Sequence, residues 1–205
     1  MSYRTITKEA DAEFTERRSR FIGHAMPVSS EEDALTFVAM IKEQYGDATH
    51  NVWAYNLKNG RQRYSDDGEP QGTAGPPVLE VLQKEQLVDA AVVVTRYFGG
   101  VLLGAGGLVR AYSHGAKLAL EAACPAQVFL CQDWRVKIEY GLYGKLQYLL
   151  PDYHARVLAS DFSQMVTLTV RMRKEQSSRF CAAVQDLTRG RWQPELVGEC
   201  YANQG

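Results

Sequence analysis

The chain lacks any apolar run near the roughly 18–20 residues that span a bilayer. Its start, Met1-Ser2-Tyr3-Arg4, opens no apolar segment of the secretory kind. No membrane association is expected, and the expected compartment is the cytoplasm. Cysteine is sparse: Cys124, Cys131, Cys181 and Cys200 are scattered without a Cys-x-x-Cys pair. That pattern argues against a structural zinc site or a disulfide framework, and for reduced thiols. Net charge is nearly absent, at -1 from 23 Lys+Arg and 24 Asp+Glu, so charge alone draws the chain to neither nucleic acid nor acidic lipid. Split near residue 130, the first part carries 13 Lys+Arg against 16 Asp+Glu, and the remainder 10 against 8. Only the C-terminal part is mildly basic. The hydrolase templates G-x-S-x-G and H-E-x-x-H are also missing. No catalytic set, no metal and no cofactor is expected from the residues.

Glycine, by contrast, is concentrated. Between Asp66 and Arg110 the chain reads Asp66-Asp67-Gly68-Glu69-Pro70-Gln71-Gly72-Thr73-Ala74-Gly75, then Arg96-Tyr97-Phe98-Gly99-Gly100, then Leu103-Gly104-Ala105-Gly106-Gly107-Leu108-Val109-Arg110. Glycine supplies positive φ and permits close approach of a backbone or ligand, at an entropic cost where it is not needed. So many of them around one apolar strand imply a surface built for contact. With 45% hydrophobic and 23% charged residues in 205, the chain can bury the core of one large or two small domains.

Periodicity places the elements. A strand is predicted over 20–28, preceded by another around Glu13. Ser29 to Glu32 reads as a capping box opening a helix with the stripe Leu35, Val38, Ile41 and Tyr45, closed by Gly46. Asn51–Leu57 and Arg61–Ser65 read as a hairpin turned at Asn59-Gly60. Pro76-Pro77 begins a short helix. Ala90–Phe98, with Val92, Val93, Val94 and Thr95, reads as a buried central strand. Residues 107–123 read as a helix whose small stripe (Leu108, Ala111, Gly115, Ala119, Ala122) can lie close on a sheet. From Trp134 onward the order is β-α-β-β-α-β, the ferredoxin-like arrangement. The whole is α+β, with expected domains at 1–130 and 131–205.

Ser19-Arg20-Phe21, the segment Ser65–Gly75, Arg96–Gly100 and Leu103–Tyr112 together resemble the Impact family in its bacterial branch. The motifs cover the first domain and the layout covers the second. The resemblance implies a first domain similar to a ribosomal-protein domain 2 and to GHMP kinases, with a left-handed βαβ unit. It implies a ferredoxin-like second domain similar to the C-terminal domains of elongation factor G. The eukaryotic members regulate translation by binding a co-activator of an amino-acid-sensing kinase, through an additional N-terminal domain. The expected function is therefore a non-enzymatic regulator or accessory factor of translation or the stress response, with a translation factor, ribosome or RNA as partner.

The candidate residues follow from both readings. Gly104, Gly106 and Gly107 before a helix can expose N–H groups to an anion, and Arg96 and Arg110 can add charge-assisted contacts. No Walker Gly-Lys-Ser/Thr follows, and G-x-G-x-x-G is unsatisfied. The alternative function is thus a protein, or an enzyme, binding a phosphorylated small molecule or nucleotide at this helix start. Tight helix–sheet packing is the structural alternative. Asp66, Asp67 and Glu69 can bind a divalent cation or act as acid and base, can form an acidic turn that caps nearby N–H groups, or can pair with Arg96 or Arg110. Thr73, Tyr97, Gly99 and Gly100 complete the predicted surface. His50 reads as structural. In the second domain Arg135, Lys137, Thr167, Thr169 and Arg171 share an outward sheet face that can track phosphates. No outward aromatic accompanies them for base stacking.

Overall fold

The unbroken run Val92-Val93-Val94 can only be buried on both faces, and it forms the middle of a five-stranded antiparallel sheet. The computed structural model describes residues 2–203. It shows two antiparallel sheets and five α-helices among these residues, in two compact units, Tyr3–Gln127 and Val128 onward together with Ser2. No helix among the described residues is long and apolar enough to cross a membrane.

The chain begins with β1 (Ser2–Ile6), β2 (Ala10–Glu16), β3 (Ser19–Pro27), α1 (Glu31–Gln44), β4 (His50–Asn56) and β5 (Gln62–Ser65). Then come α2 (Gly75–Lys84), β6 (Ala90–Tyr97) and α3 (Ala105–Ala122). The sheet of the first unit runs β2-β3-β6-β4-β5. Alternation along β6 divides the work. Ala91 and Val93 pack with Phe37, Val38, Ile41, Trp53 and Tyr55 under α1. Val92 and Val94 pack with Val78, Leu82, Tyr112 and Ala116 under α2 and α3.

The cap of α1 sits one residue later than its sequence suggests. Ser30 Oγ accepts from Asp33 N at 3.0 Å, and the Asp33 carboxylate returns to Ser29 N at 3.0 Å. Aspartate thus does the reciprocal job of a capping-box glutamate. Ala34, Phe37, Val38 and Ile41 face the sheet, an i, i+3, i+4, i+7 stripe that buries the phenyl ring and leaves Leu35 38% exposed. The Asn59-Gly60 turn does join β4 to β5, with Gly60 at φ 86°. Helix α3 begins at Ala105, two residues before the predicted start. It crosses β3 so closely that a Cβ on Gly23 would lie 2.3 Å from the Gly115 carbonyl oxygen.

The second unit contains most of β7 (Pro125–Ile138), then α4 (Tyr140–Leu149), a 3₁₀ turn (Leu150–Tyr153), β8 (Arg156–Phe162), β9 (Val166–Arg173), α5 (Lys174–Leu187) and β10 (Glu195–Asn203). Strand β7 lies between β10 and β9, and β8 forms the far edge beyond β9. Val136, Ile138, Leu146, Leu168, Val170, Phe180 and Val184 fill its core. β7 is longer than the predicted strand because β10 pairs with it down to Asn203↔Val128, a ladder that local alternation does not reveal.

Candidate functional site

The three acidic residues of the glycine block are given separate tasks. Asp66 accepts from Gly72 N (2.9 Å), Ala74 N (3.1 Å) and Gly75 N (2.8 Å), capping α2, whose own N-cap Ala74 has no acceptor side chain. Asp67 accepts from Asn51 N at 2.7 Å and from Lys42 Nζ, while its carbonyl lies 2.8 Å from His50 Nδ1. Glu69 turns inward. Its Oε1 accepts from Arg96 Nη1 and from Tyr112 Oη, both at 2.6 Å, and its Oε2 lies 3.8 Å from His50 Nε2. Thr73 Oγ1 donates to the Pro70 carbonyl at 2.6 Å.

Arg96 reaches Glu69 because β6 sets it opposite Phe21 on one side and His50 on the other. Its guanidinium lies 5.6 Å from the Phe21 ring centroid and 5.4 Å from that of Phe98. Nη2 contacts Ser19 Oγ at 3.4 Å, and Nε is buried without a hydrogen-bond partner. The Arg96 and Glu69 side chains are 6% and 3% exposed. A buried pair of this kind is held by geometry and added donors, and here Tyr112 is the added donor. Burial, and then the hydrogen bond to Glu69, push the Tyr112 hydroxyl well above the ordinary phenol range, so it stays a donor.

Outside this node lies the loop that follows β6. Phe98 N donates to Thr49 Oγ1, and Gly99 N donates to Ser19 Oγ at 3.2 Å. A Cβ on Gly99 would sit 1.9 Å from the Arg18 carbonyl oxygen, so this position requires glycine for close approach. Gly100 and Gly104 follow with φ 82° and 72°. Phe98 is 45% and Leu102 80% exposed. Tyr97 Oη donates to Asp47 at 2.7 Å. Gly104 is the N-cap of α3, without a side-chain cap, and Gly106 and Gly107 occupy its first turn with no acidic residue beside them.

The structure therefore gathers Glu69, Arg96 and Gly99, and distributes the rest. Arg110 does not join Glu69. It lies on the exposed side of α3, two residues from inward-facing Tyr112, and lines a pocket of about 290 Å³ with Phe14, Glu16, Arg17, Leu103, Gly107, Ala111 and His114. Ser19, His50 and Tyr112 also belong to the node. Ser19 and Tyr112 stand within the signature motifs, the available signal for them, whereas His50 reads from the sequence as structural and only the β4–β6 register brings it beside Arg96. In the second unit Arg135, Lys137 and Arg171 do share one face by register. Their charges are partly spent there. Arg171 makes a two-pronged contact with Asp133 at 2.7 and 2.8 Å, Arg135 meets Glu195 at 3.3 Å, and Lys137 lies over Trp192 at 5.8 Å. The Asp133 carboxylate holds Arg171 above even the usual guanidinium range.

The Impact N-terminal domain matches residues 17–120, which contain the whole node, and a domain of unknown function, DUF1949, matches 136–191. The chain belongs to the IMPACT family. The family member YvyE of Bacillus subtilis is 36% identical over 192 residues, covering 93% of this chain and 88% of its own. Protein IMPACT of Bos taurus is 36% identical over 95 residues, 44% of this chain and 30% of that protein. A crystal structure of a hypothetical protein aligns over 96% of this chain and 98% of its own, with a TM-score of 0.61 and 29% identity.

Proposed function

We propose that this chain is a non-catalytic accessory factor of translation that acts in the cytoplasm and binds a ribosome-associated RNA or protein. The observation that carries the reading is how the signature carboxylates are used. Asp66 caps a helix, Asp67 holds β4, and Glu69 is enclosed by Arg96 and Tyr112. Rigid support of a loop, rather than proton transfer to a substrate, is what those contacts provide. Beside them the loop after β6, held by Thr49 and Ser19, presents Phe98, Val101 and Leu102 outward, the kind of exposed apolar group that marks a contact surface. The family resemblance to eukaryotic translational regulators, and the β-α-β-β-α-β second unit of the ferredoxin-like kind, support the same setting.

Co-sedimentation of the full chain with ribosomes at moderate salt tests the proposal. The wild-type chain is expected to pellet with ribosomes, and Leu102→Asp, an exposed position, is expected to remain in the supernatant while melting normally. Absence of any association with ribosomes, RNA or translation factors overturns it.

A further inference from the structure

Five of the eight arginines of the first unit are paired with a carboxylate. Arg4 holds Glu85, Arg20 holds Glu13, Arg61 and Arg63 hold Glu31, and Arg96 holds Glu69. Among the described residues, Arg17, Arg18 and Arg110 alone in this unit have no carboxylate and no side-chain hydrogen bond. Two of these three, Arg17 and Arg110, line the 290 Å³ pocket together with His114.

The basic residues of the pocket come from α3 and from the turn between β2 and β3. Gly107, Arg110, Ala111 and His114 stand at i, i+3, i+4 and i+7 on one face of α3. Arg17 comes from the turn between β2 and β3, where both Arg17 and Arg18 take left-handed backbone angles, φ 43° and 68°. Glycine or asparagine normally fills such a turn, so arginine at both places is not explained by folding. The imidazole of His114 is held edge-on by Phe14, ring centroids 4.6 Å apart. Gly99, packed on the Arg18 carbonyl, fixes the turn against the signature loop. Glu16 also lines the pocket, but at an exposed position without an ion pair to either arginine.

The Arg17 and Arg110 guanidinium groups line one cavity without a carboxylate partner, and like charges brought together repel one another. A bound anion removes that repulsion, and guanidinium groups match the oxygens of a phosphate in two-pronged geometry. The cationic track continues past one phosphate, because Arg18 lies on the same turn outside the pocket, and exposed Phe98 adjoins it through Gly99. An aromatic face beside arginines suits a base stacked next to its own backbone.

We infer that the pocket between Arg17, Arg110 and His114 binds a backbone phosphate of RNA. The inference rests on the proposed role in translation and gives that role a chemical contact. The test uses the full chain with single-stranded oligouridylate and a ribosomal-RNA hairpin, in filter binding across a salt series, beside ribosome co-sedimentation. Arg17→Ala and Arg110→Ala, both at exposed positions, are expected to weaken RNA retention several-fold and to lower the salt slope by about one per charge removed. Lys145→Ala in α4 is the charge-matched control and leaves the slope unchanged. Inorganic phosphate is expected to shift the amide resonances of Gly107 and Arg17 saturably in the wild type but not in the double variant. If the chain binds ribosomes while both arginine variants retain the wild-type slope, the pocket assignment is wrong and the translational role stands. If nucleotides raise the melting temperature only when both arginines are present, and RNA is not bound, the ligand is a small phosphorylated molecule and the RNA assignment is overturned. If neither RNA, ribosomes nor translation factors bind, the functional proposal itself fails.

Discussion

Glu69 illustrates how a single buried carboxylate can set a local structure. Its carboxylate faces Arg96, whose guanidinium lies against Phe21 and Phe98 and is nearly shut off from water. Glu69→Gln is expected to leave that cation uncompensated and to cost about 3–5 kcal/mol, read as a lowered urea midpoint at unchanged slope. Tyr112→Phe removes one donor while keeping the ring against Phe21 (5.4 Å, edge-on). A smaller loss of about 1–3 kcal/mol is expected there, and the ordering of the two variants is the check. His24 is a different case. It is 1% exposed, 2.8 Å from Asp11, and within 3.3 Å of Thr95 Oγ1. Burial lowers its pKa from the ordinary 6.5, with Asp11 partly opposing. The unfolded chain therefore takes up this proton more readily than the folded one. The contribution to stability is complete above pH 6.5 and lost as pH falls through the folded value. Urea midpoints measured between pH 8 and about pH 5 should decline, and His24→Gln should flatten the part of the decline due to this group.

At the scale of elements, α2 depends on a residue eight positions before its N-cap. Asp66→Ala is expected to destabilise the first unit by about 0.5–2 kcal/mol and to speed amide exchange at Gly72, Ala74 and Gly75 first. That long-range cap was not legible, because the sequence marks only Pro76-Pro77 at the helix start. The legible elements are those with local causes. β6 shows itself by a β-branched run, the β4–β5 turn by Asn59-Gly60, and α3 by small residues at helical spacing. Tyr112 was hidden by that same small stripe, which passes beside it without requiring a ring. Asp133 and Glu195, which occupy Arg171 and Arg135, were hidden because cross-strand partners depend on register, and register is set only when β7, β9 and β10 meet. The candidate site was legible as a set of motifs and illegible as a geometry. Glu69 and Arg96 converge, while Arg110 faces a different cavity on the other side of its helix.

The whole molecule divides its burial between two cores, one around β6 and the other around β9. Phe180 is fully buried in the second, with Tyr153 edge-on at 5.5 Å. Phe180→Ala is expected to cost about 3–5 kcal/mol, appearing as lost amide protection in β7 and β9. The hydrogen bond from Gly99 N to Ser19 Oγ has a further consequence, in time. It joins residues 80 apart in the chain. During synthesis at roughly 5–20 residues per second, Ser19 waits about 4–16 seconds for Gly99 to be made. Strand β3 can pair with β2 at once through the arginine turn, but its other edge stays open until β6 arrives. The turn that carries Arg17 and Arg18 is thus made well before its pocket, which is complete only once α3 has followed β6.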